Sequence, residues 1–378
     1  MNRVYNITIS FVICFNAAGL VCGNLIDTQS CIVYYGMSDA SAAVALGNDA
    51  FVAADDENNI LRIYKTNQTS GPVSTFDLTS FIMADSTYPE ADIEGATILG
   101  ERIYWITSHG RNKDGKMRPT RYRLFATSVK KENETITLTP LGIPCRTLIY
   151  DMIASNMTRG LRLDKATKFD VQRITRKELK DLAPKRKGLN IEGLCATPNG
   201  NSLYIGLRNP QFSGWATLKK RAIIVPLLNP RQVIENGESA VFGNPILLDL
   251  NGLGIRSMEY SHFHKSYLII AGPKDDKSVF ALYQWSGEKE EKPVLLKKFP
   301  KSSENFTPEA LIVFENSCKL LVLSDDGTIN IDISDSSQCL KGKMSGKGKC
   351  PNKFLSDQGK KHFRGMWLDP QISPSSQK

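Results

Sequence analysis

Apolar and polar positions alternate along this chain in short runs broken by turn residues, which predicts strands far more often than helices. After an isolated β-branched and aromatic run at 31–35, Ala42 to Leu46 and Ala50 to Ala54 flank a Gly47-Asn48-Asp49 turn and read as a hairpin. Runs at 59–65 and 73–78 complete a four-stranded antiparallel unit. A second unit takes 93–99, 102–107, 122–129 and 135–141, and a third takes 194–197, 202–207, 221–227 and 245–250. The fourth reads 258–260, 267–271, 279–285 and 294–298. The fifth reads 310–314, 319–323 and 328–333, with 363–368 as a late extra strand. Lys341 to Lys349 reads as a mobile loop. Between 144 and 189 the strand pattern stops. Leu148, Met152 and the Thr175-Arg176-Lys177-Glu178 capping box ahead of Leu179 and Leu182 predict helices there.

Each unit opens on a related tetrad. Ile93-Glu94-Gly95-Ala96 and Ile191-Glu192-Gly193-Leu194 agree closely, while Ser257-Met258-Glu259-Tyr260 and Thr307-Pro308-Glu309-Ala310 agree loosely. Asp39-Ala40-Ser41-Ala42 carries a hydroxyl at the acidic position. Recurring four-stranded units of about 50 residues predict an all-β, five-bladed β-propeller with a partly helical insertion near 144–189, or six blades if that insertion hides one. Strands from the two chain ends can share a blade and remove the exposed edge, and 31–35 or 363–368 is available for that role. A β-sandwich, the competing architecture, does not explain the repeated acidic opening.

In a propeller the entry to a blade's first strand and the loop after its second share one face. The spacing fits: Ser41 to Asp55 and Glu94 to Ser108 are each 14 positions, Glu192 to Arg208 is 16, Glu259 to Gly272 is 13 and Glu309 to Ser324 is 15. One polar mouth is therefore expected to gather Ser41, Asp55, Asp56, Glu94, His109, Arg111, Lys113, Glu192, Arg208, Asn209, Arg256, Glu259, Glu309, Asp325 and Asp326. Clustered carboxylates call for a counter-ion, and Ca²⁺ takes oxygen ligands, which makes Glu94, Glu192, Glu259 and Glu309 the candidate metal ligands. Arginine forks suit phosphate or carboxylate, so a small anionic ligand is the expected partner. The alternative is a metal-dependent phosphoesterase or lactonase using the same mouth, with Glu94 and His109 as candidate catalytic groups. The competing structural role for the glutamates is to accept backbone N–H bonds from the next blade, with the arginines neutralising the ring.

The formal charge of +9 changes this picture little, because the lysines crowd into 173–187 and 341–361 without the aromatic interleaving or reading head of a nucleic-acid binder. These stretches read as solvated surface. At the N-terminus, Arg3, an apolar run from Ile7 to Val21 and small residues around Val21-Cys22-Gly23 predict a cleaved signal peptide over 1–23. Acylation of Cys22 is the lesser alternative. A single domain over 24–370, a disordered tail over 371–378, export to the periplasm or the medium, no transmembrane span and a monomer follow as expectations. Of the remaining cysteines none has a metal-ligand spacing. Cys318, Cys339 and Cys350 offer one disulfide near the terminal blade, and Cys195 reads as a small buried side chain. Asn67, Asn133, Asn156 and Asn305 open glycosylation sequons, relevant only in a eukaryotic host.

At these residues the chain resembles a β-propeller family catalogued as domain of unknown function 3616. The resemblance rests on Ser38-Asp39-Ala40-Ser41, Ala54-Asp55-Asp56-Glu57, Asp92-Ile93-Glu94-Gly95, 106–112, 190–194, 206–210, 225–230, Gly254-Ile255-Arg256-Ser257, 270–273 and Ser324-Asp325-Asp326-Gly327. It covers nearly all of the chain after the leader and implies the propeller fold, with no established activity to carry over. More distantly the repeats are similar to the exported phytase-like and esterase-like propellers, which implies Ca²⁺ use and ester hydrolysis. Cys195, where the resemblance leads one to expect a small residue such as alanine, and the lysine-rich tail are the departures.

Overall fold

The computed structural model describes residues 31–133, 135–169, 174–213, 219–275, 279–299 and 306–370. The expected leader at 1–23, Cys22, Asn305 and the tail at 371–378 lie outside these described residues. The first strand, β1 (Ile32–Tyr35), is followed by four complete meanders. Blade 1 is β2 (Ala42–Ala45), β3 (Ala50–Ala54), β4 (Ile60–Lys65) and β5 (Ser74–Asp77). Blade 2 is β6 (Ile93–Leu99), β7 (Arg102–Thr107), β8 (Leu124–Glu132) and β9 (Thr135–Cys145). Blade 3 is β10 (Asn190–Ala196), β11 (Leu203–Ser213), β12 (Lys220–Leu227) and β13 (Ile246–Leu248). Blade 4 is β14 (Gly254–Ser261), β15 (Ser266–Gly272), β16 (Phe280–Trp285) and β17 (Val294–Phe299).

Blade 5 closes the ring, and it uses both chain ends. Its order is β18 (Pro308–Val313), β19 (Leu320–Ser324), then β22 (His362–Leu368), with β1 outermost. The two end strands, read from sequence as alternatives for closure, therefore both serve. The run at 328–333 is not a blade strand: β20 (Asn330–Asp332) pairs with β21 (Lys349–Pro351) in a separate two-stranded ribbon. The Cys339–Cys350 disulfide, with Cα atoms 5.7 Å apart, closes that ribbon's loop, so 341–349 is a structured excursion instead of an open one.

Continuous apolar runs in the central strands explain why the blades stack. Both faces of each sheet are apolar and bury against a neighbour, giving five clusters, one at every seam. Between blades 1 and 2, for example, Val52, Leu61 and Ile63 meet Ile93, Trp105 and Phe125. Burying one such side chain contributes roughly 1.5–3 kcal/mol. The seam between blades 2 and 3 is widened by the insertion, whose helix α1 (Leu148–Ala154) buries Leu148, Ile149 and Met152 in it. Helices α2 (Leu163–Thr167) and α3 (Arg176–Asp181) follow, and the Thr175/Glu178 capping box is formed as expected. No hidden sixth blade occurs among the described residues. A further helix, α4 (Pro230–Glu235), packs on the β8–β9 edge and was not foreseen, although its Asn229-Pro230 start is a recognisable signal. Cys195 is fully buried, as expected.

Candidate functional site: the mouth of the channel

The innermost strands are built alike. In four of them the ladder with the second strand skips one residue, and the skipped residues are Glu94, Glu192, Arg256 and Glu309. A bulge residue of this kind leaves the ladder and is re-aimed. In blade 1 Ser41 stands at the same place, just before the first paired residue Ala42, and its hydroxyl donates to the Ile93 carbonyl oxygen of blade 2. The fourth repeat is thus out of phase with the sequence-based alignment. Arg256, not Glu259, occupies its acidic position.

That exchange decides the electrostatics. Glu94, Glu192 and Glu309 each bring a carboxylate oxygen within 4.8 Å of the others. Arg256, 6% exposed, lies among them as an internal counter-ion. Its Nη2 donates to both oxygens of Glu309, and its Nε is 2.9 Å from Glu192 Oε2. This last contact is an ion pair by distance but lacks hydrogen-bond geometry, since both atoms are otherwise without a partner. Glu192 also accepts from Arg208 Nη1 and Asn190 Nδ2, each at 2.6 Å. Burial lowers the guanidinium pKa of Arg256, but Glu192 and Glu309 more than reverse this and hold it above its ordinary value. Glu309 is pushed up to about 7 by burial, although Arg256 opposes the shift. The network ties blades 3, 4 and 5 together. Gly254 lies beside it: a Cβ there would stand 2.2 Å from the Arg208 carbonyl oxygen. Gly254→Ala is therefore expected to displace Arg208 from Glu192 and cost about 1–3 kcal/mol, read as a lowered melting temperature. An unchanged melting curve would remove Arg208 from the network's support.

Glu94 stands outside these ion pairs. It lines a cavity of about 380 Å³ at the mouth, together with Asp39, Asp56, Asp92, Asp325 and the Arg256 network. Burial, reinforced by the Glu192 and Asp92 carboxylates, holds Glu94 well above the usual carboxylate range. Asp39 is raised likewise by burial and then by Asp325 and Asp56, and Asp56 by burial and then by Asp55 and Glu57. One buried oxygen of Asp39, a residue 8% exposed, and one of Asp56 have no hydrogen-bond partner. Arg111, Lys113, Lys185, Arg186 and Lys353 bring positive charge to the same cavity. The 183–186 segment of the insertion reaches it because Asn209 Nδ2 donates to the Gly188 carbonyl at 2.5 Å, and Arg111 donates to the Thr167 and Gly115 carbonyls.

Of the residues expected at the mouth, Asp56, Glu94, Arg111, Lys113, Glu192, Arg208, Arg256, Glu309 and Asp325 line this cavity. The other six do not. Ser41 staples blades 1 and 2, and Asn209 anchors the insertion. Asp55 accepts from Glu57 N and Asn58 Nδ2 within its own turn, and its pKa is raised by burial to about 6. Asp326 is buried against Arg364, with two contacts of 2.8 Å that secure the closing strand. Glu259 lies three residues further along β14, 3.5 Å from Thr97 Oγ1, and is raised well above its ordinary pKa by burial. His109 is 1% exposed, with a positive φ of 49°; its Nδ1 is 2.8 Å from the Thr107 carbonyl, and burial lowers its pKa to about 4. Sequence reasoning missed Asp39, Asp92, Glu57, Arg121, Lys185, Arg186 and Lys353. Asp39 and Asp92 sit two positions before Ser41 and Glu94, so the repeat itself held that signal. Lys353 comes from the ribbon and had none. The structural role foreseen for the glutamates is carried by other groups. Arginines, not neighbouring backbone N–H groups, hold Glu192 and Glu309, while hydroxyls join the blades: Thr97 accepts from Ala196 N and Ser257 from Leu311 N.

Several solved propeller-like chains align with this one. Glutaminyl cyclase of Myxococcus xanthus is 12% identical, with a TM-score of 0.36, covering 77% of this chain and 88% of its own. The PQQ-bound aldose sugar dehydrogenase of Streptomyces coelicolor is 8% identical, with a TM-score of 0.38, covering 90% and 99%. Virginiamycin B lyase of Staphylococcus aureus is 9% identical, with a TM-score of 0.33, covering 88% and 95%. No curated protein matches the chain in sequence. The model of the family described as protein of unknown function (DUF3616) matches residues 39–326, which spans four of the blades whole and the start of the fifth, and the chain belongs to that family.

Proposed function

We propose that the mouth of this propeller binds a hard divalent cation of the Ca²⁺ type, and through it an anionic ligand. The observation that carries the reading is the trio Glu94, Glu192 and Glu309, whose carboxylate oxygens come within 4.8 Å of one another in a cavity that Asp39 and Asp56 also line. An isolated buried carboxylate is costly unless it is protonated or meets a cation. Arg208 and Arg256 offset Glu192 and Glu309, which leaves Glu94 as the member of the trio without an ion pair among the described residues, while Asp39 and Asp56 line the same cavity and each keep one oxygen without a hydrogen-bond partner. All are hard donors, which Ca²⁺ accepts in flexible geometry. Lys113, Lys185, Arg186 and Lys353 would attract the anionic part of a ligand that enters above the cation. The protein is exported in this proposal. The Cys339–Cys350 disulfide supports that reading, and no described helix is long and apolar enough to cross a membrane.

The linkage sign gives the test. Carboxyls whose folded pKa is raised contribute stability that is present below their unfolded value and lost as pH rises through the folded one. Without metal, the mouth's contribution should therefore fall between about pH 4, the unfolded carboxyl value, and the folded value near 7 of Glu309. Adding Ca²⁺ to chelator-treated protein at pH 7.5 should reverse that loss, by about 2.7 kcal/mol at a hundredfold excess over the dissociation constant. Binding should release protons into a weakly buffered solution. Asp56→Asn and Glu94→Gln should suppress both effects. Equal Ca²⁺ response in wild type and both variants would exclude this mouth as the cation site. Of the two candidates for moving a proton in a hydrolase at this mouth, Glu94 lines the cavity, while His109 is buried and does not. Binding is the reading retained.

A further inference from the structure

We propose that the disulfide-closed loop between Cys339 and Cys350 is a docking surface for an anionic phospholipid bilayer. Residues 340–349 contain Lys341, Lys343, Lys347 and Lys349 and no acidic side chain. All four lysines are exposed, as are Leu340 at 47% and Met344 at 40%. Lys349 takes Asp332 as a counter-ion at 3.0 Å, and Lys343 lies 4.9 Å from the Phe354 ring centre; Lys341 and Lys347 form no ion pair among the described residues. The loop is held in shape by the disulfide, by β20–β21 pairing, and by hydrogen bonds from Leu340 N to Phe354 O and Ser345 N to Lys349 O. Little ordering remains to be done when it binds.

Charge alone would suit any polyanion. The two exposed apolar side chains interleaved with lysines favour a bilayer, because its interface offers both anionic headgroups and an apolar phase, whereas a dissolved polyelectrolyte offers only charge. The surface also adjoins the mouth: Lys353, which lines the mouth cavity, shares the Phe354 ring with Lys343. A docked protein would thus hold its mouth near the membrane.

The test uses the full chain and vesicles of phosphatidylcholine with or without phosphatidylglycerol. Co-sedimentation is expected with the anionic vesicles, declining as salt is raised. Each lysine near the surface accounts for about fivefold in partition. Reversing charge with Lys341→Glu and Lys347→Glu together should therefore lower it by well over tenfold. Leu340→Ser should weaken binding and leave its salt dependence in place. Each of these positions is solvent-exposed, and a melting curve matching that of wild type certifies each variant as folded. A variant that fails this check is replaced by Lys341→Gln or Lys347→Gln. Equal binding to neutral vesicles, or no effect of charge reversal, would overturn the proposal. So would capture by heparin with no vesicle binding, which would assign the loop to soluble polyanions.

Discussion

Arg256→Met should destabilise the protein, by up to about 3–5 kcal/mol at pH values where Glu309 is fully ionised, the usual cost of leaving a buried charge without its partner. Arg256 is the sole described cation in contact with Glu309, whereas Glu192 keeps Arg208 and Asn190 when Arg256 is lost. The cost therefore falls on Glu309. Its pKa, about 7 with the arginine present, would rise further in the variant. At low pH Glu309 is protonated in both proteins and the difference shrinks. As pH rises from about 5 to 8 both proteins lose stability, because Glu309 ionises in the unfolded chain before it does in the folded one, and the variant, whose Glu309 holds its proton to higher pH, loses more. The gap should widen with pH. Adding Glu309→Gln to the arginine variant should restore most of the loss, because replacing both partners is far cheaper than removing one. Urea unfolding of the three proteins at pH 5 and pH 8 measures all of this. A double variant no more stable than Arg256→Met would mean that side-chain packing, not uncompensated charge, sets the cost.

The blade count and strand order were legible because a stacked blade must be apolar on both faces, and runs such as 50–54 and 267–271 can be little else. What sequence could not settle was which strand completes the last blade. Ile329, Ile331 and Ile333 alternate like a blade strand, and β20 is a strand, but it pairs with a segment whose loop the disulfide closes. Strand propensity is local. The partner of a strand is decided by what else competes for the edge, and here β22 holds the place beside β19. The same limit hid the route by which Lys353 reaches the mouth.

The site was half legible for a similar reason. A bulge position is fixed by the ladder it interrupts, and Glu259 was placed by matching residue type when the ladder places Arg256. The spacing held the correction. Glu259 to Gly272 is 13 positions, the shortest of the set, whereas Arg256 to Gly272 is 16, equal to Glu192 to Arg208. A cation at a recurrent acidic position is chemically informative once seen, since it shows Glu192 and Glu309 offset by charge within the protein and turns attention to Glu94, which has no ion pair among the described residues.

Phe363→Ala should cost a further 3–5 kcal/mol or so, the range for emptying a large aromatic site in a core. Phe363 is fully buried in the strand that joins the chain's two ends. Its ring stacks on Tyr34 at 5.1 Å and meets Tyr64 edge-on at 5.2 Å, so one side chain links β22 to β1 and to blade 1. Tyr34 in turn packs edge-on against Phe51, and the four rings fill the seam between blades 5 and 1. A smaller residue here leaves a cavity at the one place where closure depends on non-consecutive strands, and ordering so distant a contact is the costly step in forming a ring. At roughly 2.1 cal/mol/K of unfolding entropy per residue, the loss corresponds to a fall of about 4–7 °C in melting temperature. Amide exchange should rise first in β1 and β22, ahead of the other blades, because the seam can open locally before the ring unfolds. A variant with unchanged melting temperature and uniform exchange would show that these rings do not hold the two ends together.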